Sequence, residues 1–319
     1  MNKLDLFTLS LIDGIGDRTL LNIIEKKISI NEILAYNSSE LEKIIKGSRK
    51  AKAIDILLNQ YDSIQEEADI LINDLNNNNI TLISFVCEKY PFLYKQLNDP
   101  PIFLYVKGNV DLLNHRKSIA VVGSRKCSTI GLKITSAISR YFATKDYNIV
   151  SGLATGIDTA AHLGALTEKG MTTAILPDIY NIFPKENIDL ANRILENKGL
   201  LISENKPKTR LNKGLFIKRD RLQSGLSIAV FPIETKVDGG TMHTINFAKE
   251  QNRLLCCPAL NKIQNYPLDY PGAQPILNLI KNKEAVSFTK EDYEELMVKM
   301  EEKERVLWSF NNNHQTSLF

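Results

Sequence analysis

The sequence predicts an α/β fold in which a mainly parallel sheet carries helices on both faces, preceded by a small all-helical domain. Three observations carry this prediction. The runs "SIAVVG", "YNIVSG", "TTAILP", "GLLISE", "SIAVFPIE" and "RLLCCPA" are short, β-branched and punctuated by glycine, proline or small residues. Amphipathic stretches such as "LKITSAISRYFATKD" and "GIDTAAHLGALTEKG" lie between several of them, and parallel neighbours need such crossovers of a dozen residues or more. Before about residue 75, by contrast, apolar residues recur at helical spacing.

Taken in chain order, "LFTLSLIDGIGDRTLLNIIEKK", "INEILAYNSSELEKII" and "AIDILLNQYDSIQEEADILI" are short amphipathic helices, giving a helical domain over 1–75. The asparagines of "LNNNNITLISF" interrupt it. Residues 76–115, with "YPFLYKQLNDPPIFLYVKGNV", are expected to be a connecting segment packed on the core, and 116–288 the strand-helix domain. In such sheets the ligand crevice lies outside the carboxyl ends of the strands. The remainder, 289–319, reads as one charged helix, "TKEDYEELMVKMEEKERVLWSF", and the polar tail "NNNHQTSLF", too short together for a further domain of usual size.

At 319 residues with 43% hydrophobic content, the chain is long enough for two or three units with a substantial core. No apolar run approaches the ~20 residues of a membrane span. The N-terminus carries Asp5 within its apolar stretch and has no small-residue cleavage site, so a soluble, cytoplasmic protein without membrane contact is expected. Cys87, Cys127 and the adjacent Cys256 and Cys257 match neither a disulfide framework nor metal-ligand spacing, and are expected to be reduced and buried. No metal and no cofactor is expected. A formal net charge of +3 leaves nucleic-acid binding to be decided by local clustering.

"IAVVGSRKCSTIG" drives a buried strand into Gly123, Ser124 and Arg125 ahead of a helix. The first amides of that helix can point at an anion, and Arg125 adds a planar donor suited to phosphate. The spacing is neither GxGxxG nor a Walker loop. A second turn, "SGLATGIDTAAH", brings Ser151, Gly152, Gly156 and Asp158, with Asp158 expected to cap the following helix. A third, "DGGTMHTINFAKE", opens a helix at Gly239, Gly240 and Thr241. Three such strand ends on one crevice point to an anion site. His162 and His243 are read as structural, and no Ser/His/Asp or paired-carboxylate arrangement for catalysis is legible.

Basic residues cluster in "NKPKTRLNKGLFIKRDRLQSG", where Lys213, Lys218, Arg219 and Arg221 stand near Phe216 in a segment read as a connecting loop. Cations interleaved with an aromatic suit single-stranded nucleic acid, whose backbone needs neutralising and whose bases stack.

Together, "VVGSRKCSTIG", "IVSGLATGIDTAAHLGAL", "GLLISE", "FIKRDRLQSGLS", "GGTMHT" and "YPFLYKQLNDPPIFLYVKGN" resemble the DNA-processing family called DprA or Smf, from about Tyr90 to Val286. "IDGIGDRTLL" is similar to a helix-hairpin-helix turn, which fits that family's helical, SAM-like N-terminal domain. The resemblance implies a Rossmann-like domain that binds single-stranded DNA without catalysing a reaction, forms a homodimer through that domain and hands the strand to RecA or another partner. It implies a phosphate pocket at Gly123, Ser124, Arg125, Ser151, Gly152, Gly239, Gly240 and Thr241. Phe216, Lys218, Arg219 and Arg221 would lie along a basic loop supported by Lys213, Asp158 and Asp220. Recombination, natural transformation linked to competence, and antiviral defence are the processes it implies.

The chain departs from the family pattern in places. Arg219, Asp220 and Arg221 stand where Arg-Asn-Arg is usual, Pro258 and Ala259 where Pro-Gly is usual, and a C-terminal winged helix has no room. Asp220 motivates a second reading, a nucleotide-derived small-ligand sensor or a nucleotide hydrolase using the same crevice. "GGTMHTINFAKE" resembles the hydrolase motif GGxGTxxE only loosely.

Overall fold

The N-terminal helices are too short to stand alone in water and are held by caps and shared burial. In the computed structural model, which describes residues 1–309, they are α1 (Lys3–Leu11), α2 (Asp17–Glu25), α3 (Ile30–Ala35), α4 (Ser38–Ile44), α5 (Lys50–Asn59) and α6 (Tyr61–Asn77). Asn2 with Asp5, Ser29 with Glu32 and Asn37 with Glu40 form reciprocal capping boxes on α1, α3 and α4. Leu6, Phe7, Leu9, Leu20, Ile23 and Leu41 fill the space between the helices, and this core runs on into the sheet. Phe7 meets Phe103 edge to face at 5.4 Å.

Nine strands form one sheet: β1 (Thr81–Ser84), β2 (Phe103–Gly108), β3 (Ser118–Val122), β4 (Asn148–Ser151), β5 (Thr172–Ile175), β6 (Leu200–Ser203), β7 (Ala229–Pro232), β8 (Leu254–Pro258) and β9 (Val286–Phe288). Their order is β1-β2-β6-β5-β4-β3-β7-β8-β9, antiparallel only where β1 meets β2 and β2 meets β6. The segment 76–115 is therefore more than a connection, because it supplies the two antiparallel strands that extend one edge. Between them lies the single turn α7 (Phe92–Lys95).

Alternation along β3 distributes the layers. Ile119 and Val121 face α8 (Thr129–Thr144), α9 (Ile157–Thr167) and the last helix, through Ile138, Phe142, Ala161 and Ala165. Ala120 and Val122 face the opposite layer, with Leu222, Ile245 and Ala248. Against the β5–β6 side lies α10 (Ile188–Glu196). The opposite layer holds α11 (Lys213–Gly225), α12 (Thr241–Glu250) and α13 (Gln274–Lys281). The C-terminal helix α14 (Tyr293–Ser309) docks through Leu296, Met300 and Leu307, and Trp308 stacks near Phe92 at 5.0 Å. The polar tail 311–319 lies outside the described residues, among which no helix is long and apolar enough to cross a membrane.

Residues 213–225, expected as loop, form α11. Its buried positions include Arg219, Asp220, Arg221, Gln223 and Ser224, so no apolar periodicity marks it as a helix. Strand order reverses between β3 and β7, and the connections leaving them diverge to open a crevice at their carboxyl ends.

Candidate functional site

That crevice has a volume of about 520 Å³ and is lined by all three glycine-bearing connections and by α11. A hollow of about 960 Å³ lies elsewhere, between the turns at Gly14 and Gly47, and there Arg49 is tied to Asp13 at 2.6 Å.

The loop after β3 is glycine because of a close approach: a β-carbon on Gly123 would sit 2.6 Å from Cγ1 of Ile157. Ser124 then donates its backbone N–H to the Glu234 carbonyl at 2.8 Å and its hydroxyl to the Lys126 carbonyl at 2.6 Å. Further on, Ser128 caps α8 by accepting from the Gly131 N–H at 2.9 Å. The buried Glu234 carboxylate receives the Ser128 N–H at 2.8 Å, the Ser128 hydroxyl at 2.5 Å and the Tyr266 hydroxyl at 2.7 Å. A loop fixed at both ends leaves Arg125 exposed, its guanidinium 5.8 Å from the centre of the Phe216 ring.

The β4 turn plays a different part from the one expected of it. Ser151 is buried and donates its hydroxyl to the Val121 carbonyl at 2.7 Å, while Gly152 makes room for a guanidinium, since a β-carbon there would fall 1.6 Å from Nη1 of Arg219. Neither lines the crevice. Gly156, with φ of +81°, occupies the N-cap of α9, so Asp158 sits within the first turn instead of capping it. Asp158 accepts the Ala154 N–H at 3.2 Å, and burial raises its pKa against the pull of Arg219.

Helical geometry divides the basic cluster. Positions 216, 219, 220 and 223 of α11 share one face, and all four line the crevice together with Lys213. Arg219 donates Nη1–H to the Ile175 carbonyl at 3.0 Å, and its Nε lies 3.3 Å from Asp220 without a hydrogen bond. Asp220 accepts from Gln223 Nε2 at 2.9 Å, and burial pushes its pKa up to about 6 despite Arg219. Lys218 and Arg221 turn to another face. Arg221 donates to Asp99 and Glu204, each at 2.7 Å, and Lys218 stands 3.2 Å from Glu204. The two are thus engaged in an ion cluster outside the crevice.

After β7, Gly239, Gly240 and Thr241 all line the crevice, and Gly240 caps α12 with no side-chain bond to its first turn. Sequence reasoning missed Phe183, Gln223, Lys236 and Thr244, which also line it, and His243, read as structural, does so too. His162 is buried, with Nδ1 2.7 Å from the Thr172 hydroxyl, and burial lowers its pKa to about 3. No group of three or more potential metal ligands occurs among the described residues. The arrangement offers an exposed cation on an aromatic ring and open backbone at a helix start, which suit a phosphate-bearing ligand with flat aromatic parts.

Comparison with known proteins places this chain among relatives of one family. A DNA processing protein DprA of Bacillus subtilis is 30% identical over 221 residues, covering 69% of this chain and 73% of that protein. Two other curated relatives are matched over 50% and 60% of their lengths. The X-ray structure of DNA processing protein A from Streptococcus pneumoniae superposes with a TM-score of 0.73 at 26% identity, covering 91% of this chain and 95% of that one. DNA processing protein A from Helicobacter pylori, studied for its single-stranded DNA binding mode, shares the fold at a TM-score of 0.59 and 24% identity, over 69% of this chain and 96% of that one. The sequence profile of DNA recombination-mediator protein A matches residues 81–300, and the chain belongs to that family.

Proposed function

We propose that this protein is a DprA-type DNA-processing protein that binds single-stranded DNA along the crevice, without covalent chemistry on the strand. The observation that carries the reading is Arg125: an exposed guanidinium on the Phe216 ring at the mouth of a glycine-built crevice. A phosphate would meet Arg125 and the open backbone at Gly240, while a neighbouring base would reach the aromatic wall. Lys213 and Arg219 add positive charge. Lys218 and Arg221, held by Glu204 and Asp99, would act by supporting α11. Family membership supports delivery of the strand to a RecA-type recombinase and self-association through the sheet domain.

The small-ligand reading is not favoured, because the carboxylate that motivates it already accepts from Gln223 and lies against Arg219. Titration of an unstructured oligonucleotide at two salt concentrations tests the DNA reading. Affinity should fall steeply with salt as counterions are released, and Arg125→Glu should abolish binding. Salt-independent binding, or none, would overturn it.

A further inference from the structure

We propose that Phe183 is a stacking platform for one unpaired nucleobase, next to the phosphate position at Arg125; this rests on the DNA reading and names the part of the strand that the outer wall takes. Phe183 comes from the connection between β5 and α10, between Ile182 and Pro184. The residue is 41% exposed, yet it lines the crevice.

A single exposed aromatic is ordinary on a protein surface. Here the ring is held in place. Its centroid lies 5.6 Å from that of Phe216 at an interplanar angle of 70°, an edge-to-face contact that leaves at least one face of the Phe183 ring untouched by Phe216. Phe216 carries Arg125 over its own face. Cation, ring and second ring therefore form a continuous step along the crevice wall.

The connection bearing Phe183 is anchored on both sides. Before it, Asp178 is buried and accepts the Tyr180 N–H at 2.9 Å and Asn181 Nδ2 at 2.7 Å. After it, Asn187 donates Nδ2–H to the Leu153 carbonyl at 2.8 Å and to the Thr159 hydroxyl at 2.9 Å. The connection is thus held on both sides of Phe183, with the ring left at the surface. Stacking of a base would cover it, and a preorganised ring loses little entropy on binding. The chemistry selects a flat aromatic ring and leaves base identity open, since every nucleobase has a π-face.

The test compares the full chain with Phe183→Leu and Phe183→Trp, using a single-stranded oligonucleotide that carries one 2-aminopurine and a duplex control. Phe183→Leu keeps apolar bulk but removes the π-face. It should weaken the single strand about tenfold with an unchanged salt slope, because no charge is lost. The 2-aminopurine quenching seen on binding to the parent should disappear in Phe183→Leu and persist in Phe183→Trp, while the weak duplex binding stays the same. Parental affinity and quenching in Phe183→Leu would overturn the proposal alone, provided that Arg125→Glu still abolishes binding. Weakened affinity with quenching intact would also overturn it, by assigning Phe183 to loop packing. A parent that binds no oligonucleotide would remove both the platform and the DNA reading.

Discussion

A β-carbon on Gly152 would lie 1.6 Å from Nη1 of Arg219. The glycine of "SGLATG" is therefore the seat of a buried guanidinium that braces the inner wall of the crevice. Gly152→Ala should push Arg219 away from the Ile175 carbonyl and leave a buried charge short of its partner. We expect a loss of about 1–3 kcal/mol, read as a lower urea midpoint, together with weaker oligonucleotide binding. An unchanged midpoint would mean that Arg219 has a second seat.

Asp220 should link the site to pH. Burial raises its pKa from 3.8 to about 6, so the fold favours the neutral acid. The unfolded chain releases this proton first as pH rises, so the parent should lose up to roughly 3 kcal/mol of stability from this group between about pH 4 and pH 6. Asp220→Asn keeps the shape and removes the titration. Its stability advantage should grow across that window and then level off. At pH 7.5 and low salt the variant should also bind single-stranded DNA more tightly, by roughly 0.5–2 kcal/mol, with the difference closing below pH 5. Equal affinities at pH 7.5 would take Asp220 out of the strand's path.

Arg221 and Arg125 should behave oppositely. Arg221→Ala leaves the buried Glu204 carboxylate with Lys218 as its remaining cation and should cost up to about 3 kcal/mol of stability, while the folded fraction keeps the parental salt slope. Arg125→Glu should leave thermal unfolding nearly unchanged and remove binding. If Arg221→Ala lowers the salt slope without lowering stability, its guanidinium reaches the strand after all.

Much of this was legible in the chain. The six parallel-sheet runs appear where expected because strands buried on both faces are mostly apolar, as the Ile119–Val122 stretch of β3 is. The turns at Gly123 and Gly239 were readable because glycine after such a run marks a close approach. The run "TLISF" was harder to place, since its asparagine-rich lead hid a strand whose partners are β2 and, through it, β6.

The sequence by itself determined the layered α/β class, the crevice at the strand ends and the presence of basic and aromatic residues near it, because burial on two faces and glycine turns leave a mark on each local stretch. Which member of Lys218, Arg219, Asp220 and Arg221 faces that crevice was decided by tertiary structure alone. Each residue of a helix is turned about 100° from the last, and α11 has no apolar stripe to reveal its phase. The phase is set by Glu204 and Asp99, which stand 17 and 122 residues from Arg221 in sequence and draw it to the opposite side. Phe183 likewise owes its place to Asn187 and Phe216, whose contacts exist only once the chain has closed on itself.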